Sequence, residues 1–289
     1  MEAIKKPKKK SQFLEFCRRF SKNKAALIGM VLFVLILLFS MGAGLFVNYE
    51  ADAITHSDQR LAAPSTQHIF GTDGYGRDIF ARVLYGTRVS LQMALTATVC
   101  ALAIAIVIGA VAAYYGGILD SIIMRVLDMF MGIPLILLAI AVSASLGPGK
   151  NNLILAIIVA QIPQFTRVTR SAILNAVEQE YVEAARAYGS SDLSIITAQI
   201  LPNTMGLVII QATMAVSQMI LSIAALSYLG LGIQPPAPEL GSMLSEGREY
   251  MRYSQYIMLF PGLMIAMTAL SLNLIGDGLR DALDPRLKN

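Results

Sequence analysis

The most informative part of this sequence is Glu180-Tyr-Val-Glu-Ala-Ala-Arg-Ala-Tyr-Gly-Ser-Ser-Asp-Leu-Ser-Ile-Ile-Thr-Ala-Gln-Ile-Leu-Pro202. It separates two long apolar runs and is itself too polar to be buried in lipid. Good helix formers from Glu178 to Tyr188 predict a short helix, and Gly189 suits the left-handed position that ends one. The two serines that follow can cap a second helical segment, and Pro202 marks the predicted boundary before the next apolar run. The sequence therefore predicts a helix, a turn and a helix between two membrane spans.

Composition places this stretch in a membrane protein. The chain has 289 residues, of which 55% are hydrophobic and 15% charged, and its mean hydropathy is +0.60. Soluble domains carry roughly 25% charged residues, and a helix of about 20 apolar residues can cross a bilayer. Six apolar runs predict six membrane spans: Ala25 to Val47, Val89 to Tyr114, Ile122 to Leu146, Leu153 to Leu174, Thr204 to Gly232 and Tyr256 to Ile275.

The positive charges predict the orientation of these spans. Nine of the 23 Lys and Arg residues precede Ala25, and such an excess marks the cytoplasmic side. Six spans then leave both termini, and the quoted stretch, in the cytoplasm. Basic residues gathered in a tail favour contact with anionic lipid over a nucleic-acid partner. In that tail Phe13, Phe16, Cys17 and Phe20 share one helical face, which predicts a helix lying in the membrane interface between Ser11 and Lys24.

The quoted stretch resembles the EAA loop of bacterial ABC importer permeases, in which Glu-Ala-Ala is followed by Gly and later by Leu-Pro. The matching residues are Glu183, Ala184, Ala185, Gly189, Leu201 and Pro202. Gln199 stands where the general pattern has Ile, which looks usual in the peptide-type subfamily. On spacing alone, the alternative is an ordinary amphipathic cytoplasmic hairpin.

The resemblance implies that this segment contacts a separate ATPase subunit, and its residue types suit that role. Two adjacent alanines leave a low surface that can seat in a groove of a partner. Glu183 and Arg186 offer charges to that partner, and Glu180 is included in the predicted contact.

Two further motifs resemble the C-type permeases for dipeptides, oligopeptides and nickel. The first is Phe70-Gly-Thr-Asp-Gly-Tyr-Gly-Arg-Asp78, for which we predict a tight, charge-paired turn at the external face. Its candidate site residues are Gly71, Asp73, Arg77 and Asp78. The charged members, together with Arg82, are expected either to bond within the turn or to meet a paired permease. The second motif, Leu226 to Leu244, is predicted to break the fifth span at Gly230 and Gly232 and to turn outside through Pro235, Pro236 and Pro238.

The resemblance implies an all-α integral membrane protein with six transmembrane helices, the type I importer (MetI-like) permease fold and a cytoplasmic coupling helix. It implies a bacterial cytoplasmic membrane, a homologous permease in a heterodimer, two ATP-binding cassette subunits and an external substrate-binding protein. Peptides are the expected cargo, and nickel or a metal chelate is the alternative because those permeases share the motifs. ATP and Mg²⁺ are expected on the partner subunits, with no cofactor bound by this chain.

The expected division of the chain has five parts. Residues 1–24 form a basic tail with the interfacial helix, residues 25–47 the first span and residues 48–88 an external loop. Residues 89–281 form a five-helix core that includes the EAA loop at 178–203, and residues 282–289 form a cytoplasmic tail.

Polar residues inside the spans are candidates for lining the translocation path, because an amide in hydrocarbon needs a partner or water. They are Gln161, Gln164, Gln211, Gln218 and Ser222. Hydrogen bonding between helices explains them equally well. Arg125 and Asp128, at i and i+3, predict an ion pair.

Prolines at 134, 163 and 261 predict kinks, either for packing alone or to splay the helices around a central path.

Several kinds of chemistry are not expected. No Gly-x-x-x-x-Gly-Lys-Ser/Thr loop occurs, so the chain is not expected to hydrolyse ATP. His56 and His68, with Asp52 and Asp58, are a sparse set for a metal site. Cys17 and Cys100 lie in segments that can hardly meet, which makes a disulfide unexpected. An intramembrane enzyme or ion channel would need ionisable residues that face each other in the spans, and the spans supply almost none. A secondary transporter would normally show inverted repeats and buried acidic residues, and the sequence shows neither.

Overall fold

The computed structural model describes residues 12–47 and 57–283, and these form helices with short connections. The helices are α1 Gln12–Phe20, α2 Lys24–Met41, α3 Ala43–Phe46, α4 Ile79–Tyr115, α5 Gly117–Met131, α6 Leu135–Leu146, α7 Lys150–Val177, α8 Glu180–Ala187, α9 Asp192–Tyr228, α10 Leu240–Gly247 and α11 Tyr256–Leu283. Single 3₁₀ turns occupy Ser57–Gln59 and Arg248–Tyr250. The basic tail before Ser11, Asp52 and His56, and Arg286 and Lys288 lie outside the described residues.

The described helices match the all-α membrane fold that the sequence predicts. Helices α2, α4, α7, α9 and α11 are each long and apolar enough to cross a membrane, and α5 with α6 makes a sixth span when the bent pair is counted as one. The bounds differ from the prediction at α4, which begins at Ile79 and not at Val89. The Asp78 carboxylate accepts a hydrogen bond from the Ala81 amide at 2.9 Å, so this helix is capped ten residues before its apolar run begins.

The third predicted span is broken and not merely kinked. Helices α5 and α6 meet at 85°, and the break contains Gly132 and Pro134. Pro134 has no N–H to continue the helix of α5, whereas its carbonyl accepts the amides of Leu137 and Leu138 and starts α6. Pro163 and Pro261 instead lie inside the continuous helices α7 and α11.

Pro202 does not mark a helix boundary, contrary to the prediction. Helix α9 runs from Asp192 through a π-helical stretch, Ile195–Ile200, and on through Pro202 to Tyr228. The Leu201 amide bonds to the Ile196 carbonyl, five residues back. A π-helical turn directly before a proline lets the helix continue, because the wider turn changes the pairing at the point where Pro202 has no N–H to donate.

Small residues let the spans approach closely. Helix α4 packs along α7 with Ala97, Ala101 and Ala105 fully buried. One turn further on, a side chain at Gly109 would lie only 3.1 Å from the backbone nitrogen of Arg170. Helices α2 and α11 pack in the same way, since a Cβ at Gly29 would lie 2.6 Å from the Cβ of Leu274. Close backbone approach of this kind is how membrane helices gain contact in the absence of a hydrophobic driving force.

The contacts define two ends of the helix bundle. At one end α8 packs against the last turns of α4 and α7, and a cleft joins that end of α7 to Arg280 near the end of α11. Phe16 and Phe20 of α1 contact Leu279 and Ala282 there, so both ends of the described chain lie at the α8 end. The start of α4 and helix α10 occupy the opposite end.

Candidate functional site

The segment at the α8 end is built on a small apolar cluster. Val182 and Ala185 of α8 are buried against residues of α4, α7 and α9, among them Ile173 and Ile195. The helix is shorter than the sequence predicts, because Glu178 ends α7 and does not begin α8. Burial of one face at i and i+3 holds α8 across the ends of the spans and leaves its other face to solvent or a partner.

Gly189 ends α8 in the left-handed conformation that the sequence predicts. Its φ is +75°, its amide donates to the Arg186 carbonyl at 2.9 Å, and the Ser190 amide donates to the Ala185 carbonyl at 3.1 Å. This pair of bonds is the Schellman motif. Ser191 follows as the N-cap residue of α9, but its hydroxyl makes no capping bond; its carbonyl accepts the Ile195 amide instead.

A brace from α4 connects the two helices of the segment. The Arg186 guanidinium lies 5.0 Å from the centre of the Tyr114 ring, and the Tyr114 hydroxyl donates to Asp192 at 2.7 Å. Arg186 is therefore engaged within its own chain, at a distance typical of a cation–π contact. The sequence predicts a partner contact for Arg186 and gives no sign of its contact with Tyr114 on α4.

The predicted contact residues divide into two groups by exposure. Glu180, Glu183, Ala184, Gly189 and Pro202 are exposed, whereas Ala185 is buried and Leu201 is half-buried. Of the alanine pair, only Ala184 thus presents the low surface that was expected of both. Two apolar side chains extend the exposed surface, Tyr188 at 90% exposure and Leu193 at 72%. Exposed apolar residues at the end of a helix are characteristic of a protein interface.

Ion pairs attach α5 to α7 beside this segment. Asp120 pairs with Arg170 through both carboxylate oxygens, and Asp128 pairs with Arg167. The predicted pairing of Asp128 with Arg125 is therefore wrong. An arginine on a facing helix reaches Asp128, and periodicity within one helix gives no sign of such a neighbour.

A buried cluster of four charges, the Asp73 cluster, lies at the opposite end of the bundle. It consists of Asp73, Arg77, Arg82 and Glu246. Asp73 Oδ2 accepts from Arg77 Nε at 2.7 Å and from Arg82 Nη1 at 2.6 Å, and Glu246 Oε2 accepts from the same two arginines at 2.9 and 2.8 Å. Two carboxylates and two guanidiniums balance in charge, which is the condition for burying them. The cluster ties α10 to the start of α4.

The surroundings of Arg77 show the balance of forces in the cluster. Burial alone would lower the pKa of Arg77, but the adjacent charges of Asp73 and Glu246 outweigh it and raise the pKa above its ordinary value. The other oxygen of Asp73 accepts the backbone amides of Tyr75 and Arg77 and closes the turn. Gly71 has a φ of +78°, and a side chain there would clash with the Ala62 carbonyl.

The two motifs at this end of the bundle form a single site, which local sequence patterns do not predict. Glu239 is fully buried; Oε1 accepts from the Ser90 hydroxyl at 2.9 Å and Oε2 accepts from the Ser242 amide at 2.8 Å. Glu239 thus caps α10 and bonds to α4 at once. The missed signal is an acidic residue just before a helix, at an N-cap position. Glu246, two turns later on α10, completes the Asp73 cluster and has no local sequence signature.

His68 belongs to the structure at this end of the bundle. Its Nδ1 lies 2.9 Å from Asp78 Oδ2, and its Nε2 lies 3.1 Å from Gln59 Oε1. Asp78 therefore pairs with His68 and caps α4, and it takes no part in the Asp73 cluster. Among the described residues no group of three or more His, Cys, Asp or Glu side chains has the arrangement of a metal site. Cys17 and Cys100 are both free and exposed.

The five candidate path residues are not brought together in one cavity. Gln161 is buried inside α7, while Gln164, Gln211 and Ser222 are half-buried and Gln218 is exposed. Gln211 lines a cleft of about 550 Å³ at the α8 end, beside Arg167, Asn175 and Arg280. Whether any of the five meets cargo stays a prediction.

Comparisons with known proteins agree with this architecture. Residues 105–289 match the family described as binding-protein-dependent transport system inner membrane component, and residues 11–64 match the N-terminal TM domain of oligopeptide transport permease C. The dipeptide transport system permease protein DppC of Alkalihalophilus pseudofirmus is 42% identical over 96% of this chain and 91% of its own length. The glutathione transport system permease protein GsiD of Escherichia coli is 41% identical over 100% of this chain and 95% of its own.

The fold has a counterpart among solved structures. The inward-facing MetNI methionine ABC transporter contains a chain that aligns with a TM-score of 0.58 at 19% identity, covering 70% of this chain and 97% of that one. At this identity the likeness shows the fold alone, and it is the fold that the resemblance predicted. With its helical spans, matching domains and full-length relatives, the chain belongs to the family of binding-protein-dependent transport system inner membrane components, as a C-type peptide ABC permease and a multi-pass membrane protein.

Proposed function

We propose that this chain is one half of the translocation path in an ATP-driven importer of dipeptides or oligopeptides. It pairs with a homologous permease, receives cargo from an external binding protein and is driven by two ATPase subunits on the cytoplasmic side, in the bacterial cytoplasmic membrane. The names of the full-length relatives, which refer to dipeptide and glutathione transport, support the cargo class.

The single observation that carries the coupling proposal is the two-faced geometry of α8. Its inner face is buried against α4 and α7, while Glu180, Glu183 and Ala184 are exposed on its outer face. A partner that pushes on the outer face moves the ends of the spans, because α8 is held to them by packing and by the Tyr114 brace. Alternating access requires this kind of connection between a site that binds ATP and a site that binds cargo.

Reconstitution of the complex tests this function. The chain is co-expressed with its paired permease and ATPase subunits, reconstituted in liposomes and supplied with the binding protein. We expect radiolabelled dipeptide to accumulate only when ATP and Mg²⁺ are on the ATPase side. Accumulation of nickel or a metal chelate in place of peptide would transfer the proposal to the alternative cargo. Uptake by the chain alone, driven by an ion gradient, would overturn it.

We further propose that α8 and both termini face the cytoplasm. The exposed thiol of Cys17 on α1, at the α8 end, provides a direct test. A membrane-impermeant maleimide should leave Cys17 unlabelled in intact cells and label it after the membrane is permeabilised. A cysteine introduced at the exposed Asp58, at the opposite end of the bundle, should react in intact cells. The reverse labelling pattern would show that the chain has the opposite orientation in the membrane.

A further inference from the structure

A cavity at the opposite end of the bundle from α8 has the chemistry of a cation-binding site. This Ser227 cavity lies between the end of α9, the loop after it and α10, and has a volume of about 270 Å³. Its lining includes Ser227, Ile233, Ser242, Glu246, Glu249 and Tyr250. Two carboxylates and several hydroxyls face it, and no Lys, Arg or His is among its described lining residues. Arg77 and Arg82 already balance the charge of Glu246, so Glu249 supplies the net negative charge of a lining that favours a positively charged guest.

Two of the acceptors are buried without a partner. The Ser227 hydroxyl, in a side chain only 2% exposed, and Glu246 Oε1 make no hydrogen bond to the described residues. The second oxygen of Glu246 is already engaged by Arg77 and Arg82. Buried acceptors are normally satisfied, because an unpaired one has lost its water without gaining another donor. Arg82 Nε and Nη2 are also unpaired, but Arg82 does not line the cavity. The two acceptors on the cavity are therefore left for a donor that arrives with a ligand.

The local backbone packs closely over the Ser227 hydroxyl at the wall of the cavity. Gly230 ends α9 with a φ of +83°, and the Leu231 amide returns to the Leu226 carbonyl at 3.0 Å. This turn brings Gly232 over Ser227, where any Cβ would overlap Ser227 Oγ. Only a glycine at position 232 therefore fits against the Ser227 hydroxyl at this wall of the cavity.

We propose that the Ser227 cavity binds the protonated amino terminus of a peptide, with Ser227, Glu246 and Glu249 as acceptors. An ammonium group carries three N–H donors and suits such a set. The apolar walls at Ile233 and Tyr250, and a volume near the lower limit of about 300 Å³ for small-molecule sites, suit an organic body better than a bare metal ion. This inference rests on the proposed peptide cargo and adds a place where the permease itself recognises it.

Photo-crosslinking of the assembled complex tests the inference without the binding protein, which has its own peptide site. The permease pair with its ATPase subunits, in lipid nanodiscs, is irradiated with alanyl-photoleucine or with its N-acetyl derivative. We expect the free-amino probe to attach to residues lining the Ser227 cavity and the acetylated probe to attach at least about tenfold less. The difference corresponds to the loss of about one hydrogen bond to a charged group.

Two variants locate the effect. Ser227→Ala and Glu249→Gln should each lower the attachment of the free-amino probe about tenfold, while Asp58→Asn, an exposed carboxylate at the same end, should leave it unchanged. Ser227→Ala should not reduce thermal stability, because it removes a buried hydroxyl that has no partner.

The outcomes separate this inference from the proposed function. Equal attachment of the acetylated probe, or attachment elsewhere in the chain, would overturn it. Protection of the cavity by nickel chloride but not by dialanine would also overturn it, in favour of a metal ion. If only the inference fails, the same complex still takes up dipeptide in an ATP-driven reaction. If the proposed function fails, that uptake is absent.

Discussion

Arg82→Met tests whether the Asp73 cluster holds α10 to the start of α4. Arg82 is 2% exposed and donates from one nitrogen to both Asp73 and Glu246. Methionine keeps much of the aliphatic volume but leaves two carboxylates facing one guanidinium. Removal of one partner from a buried charge cluster costs about 3–5 kcal/mol. At about 2–4 °C per kcal/mol, the melting midpoint should fall by about 6–20 °C.

The assay and its controls follow from the composition of the chain. It contains no Trp, and both cysteines are exposed, so far-UV circular dichroism of the purified protein in detergent is preferable to Trp fluorescence or thiol-reactive dyes. Arg88→Met is the matched control: it changes an exposed arginine on the same helix and should cost less than about 0.5 kcal/mol.

A second substitution separates lost charge balance from lost packing. Adding Glu246→Gln to Arg82→Met removes the unpaired charge and leaves Asp73 paired with Arg77. The double variant should recover about 1–3 kcal/mol, which is the range of coupling energies between contacting residues. Wild-type stability of Arg82→Met, or simple additivity of the two changes, would show that the cluster does not hold these helices together.

Three further predictions concern the segment at the α8 end. Gly189→Pro fixes φ near −65° where the structure has +75°, and it removes the N–H that bonds to Arg186. ATP hydrolysis by the assembled complex should persist, while peptide uptake should fall at least about tenfold. Gly189→Ala, which costs about 1–2 kcal/mol of stability, should have a milder effect on uptake. Normal uptake by the proline variant would contradict the proposed coupling. Glu183→Lys reverses an exposed charge and should weaken co-purification of the ATPase subunits, whereas Asp58→Lys at the other end should not. Tyr114→Phe removes the hydrogen bond to Asp192 but keeps the ring beside Arg186, so it should lower the amount of peptide transported per ATP hydrolysed without loss of assembly. An unchanged amount of peptide per ATP would show that this hydrogen bond has no part in coupling.

Local chemistry made part of this structure predictable. The position of Gly189 follows from the need for a left-handed residue after α8, and the apolar runs identify the spans because lipid requires their length. The turn at Asp73 was likewise visible, since Asp, Gly and Arg at short spacing favour a self-bonded loop.

What escaped prediction depends on neighbours distant in sequence. Glu246 lies more than 160 positions from both of its arginine partners, and Asp128 meets Arg167 across 39 positions. Pattern within one helix cannot reveal which helix lies opposite. Pro202 misled for a different reason, because its usual role as a boundary was overridden by the π-helical turn before it.

Helix α9 has a consequence for how quickly the two faces of the membrane communicate. Its 37 residues make about 55 Å of continuous helix, with Asp192 and Leu193 at one tip and Ser227 at the other. If the π-helical stretch Ile195–Ile200 and Pro202 do not bend during transport, tilting one tip displaces the other directly. Cargo binding and the movement driven by ATP would then act through the same helix. A substitution that makes the middle of α9 more flexible would uncouple them without impairing either one.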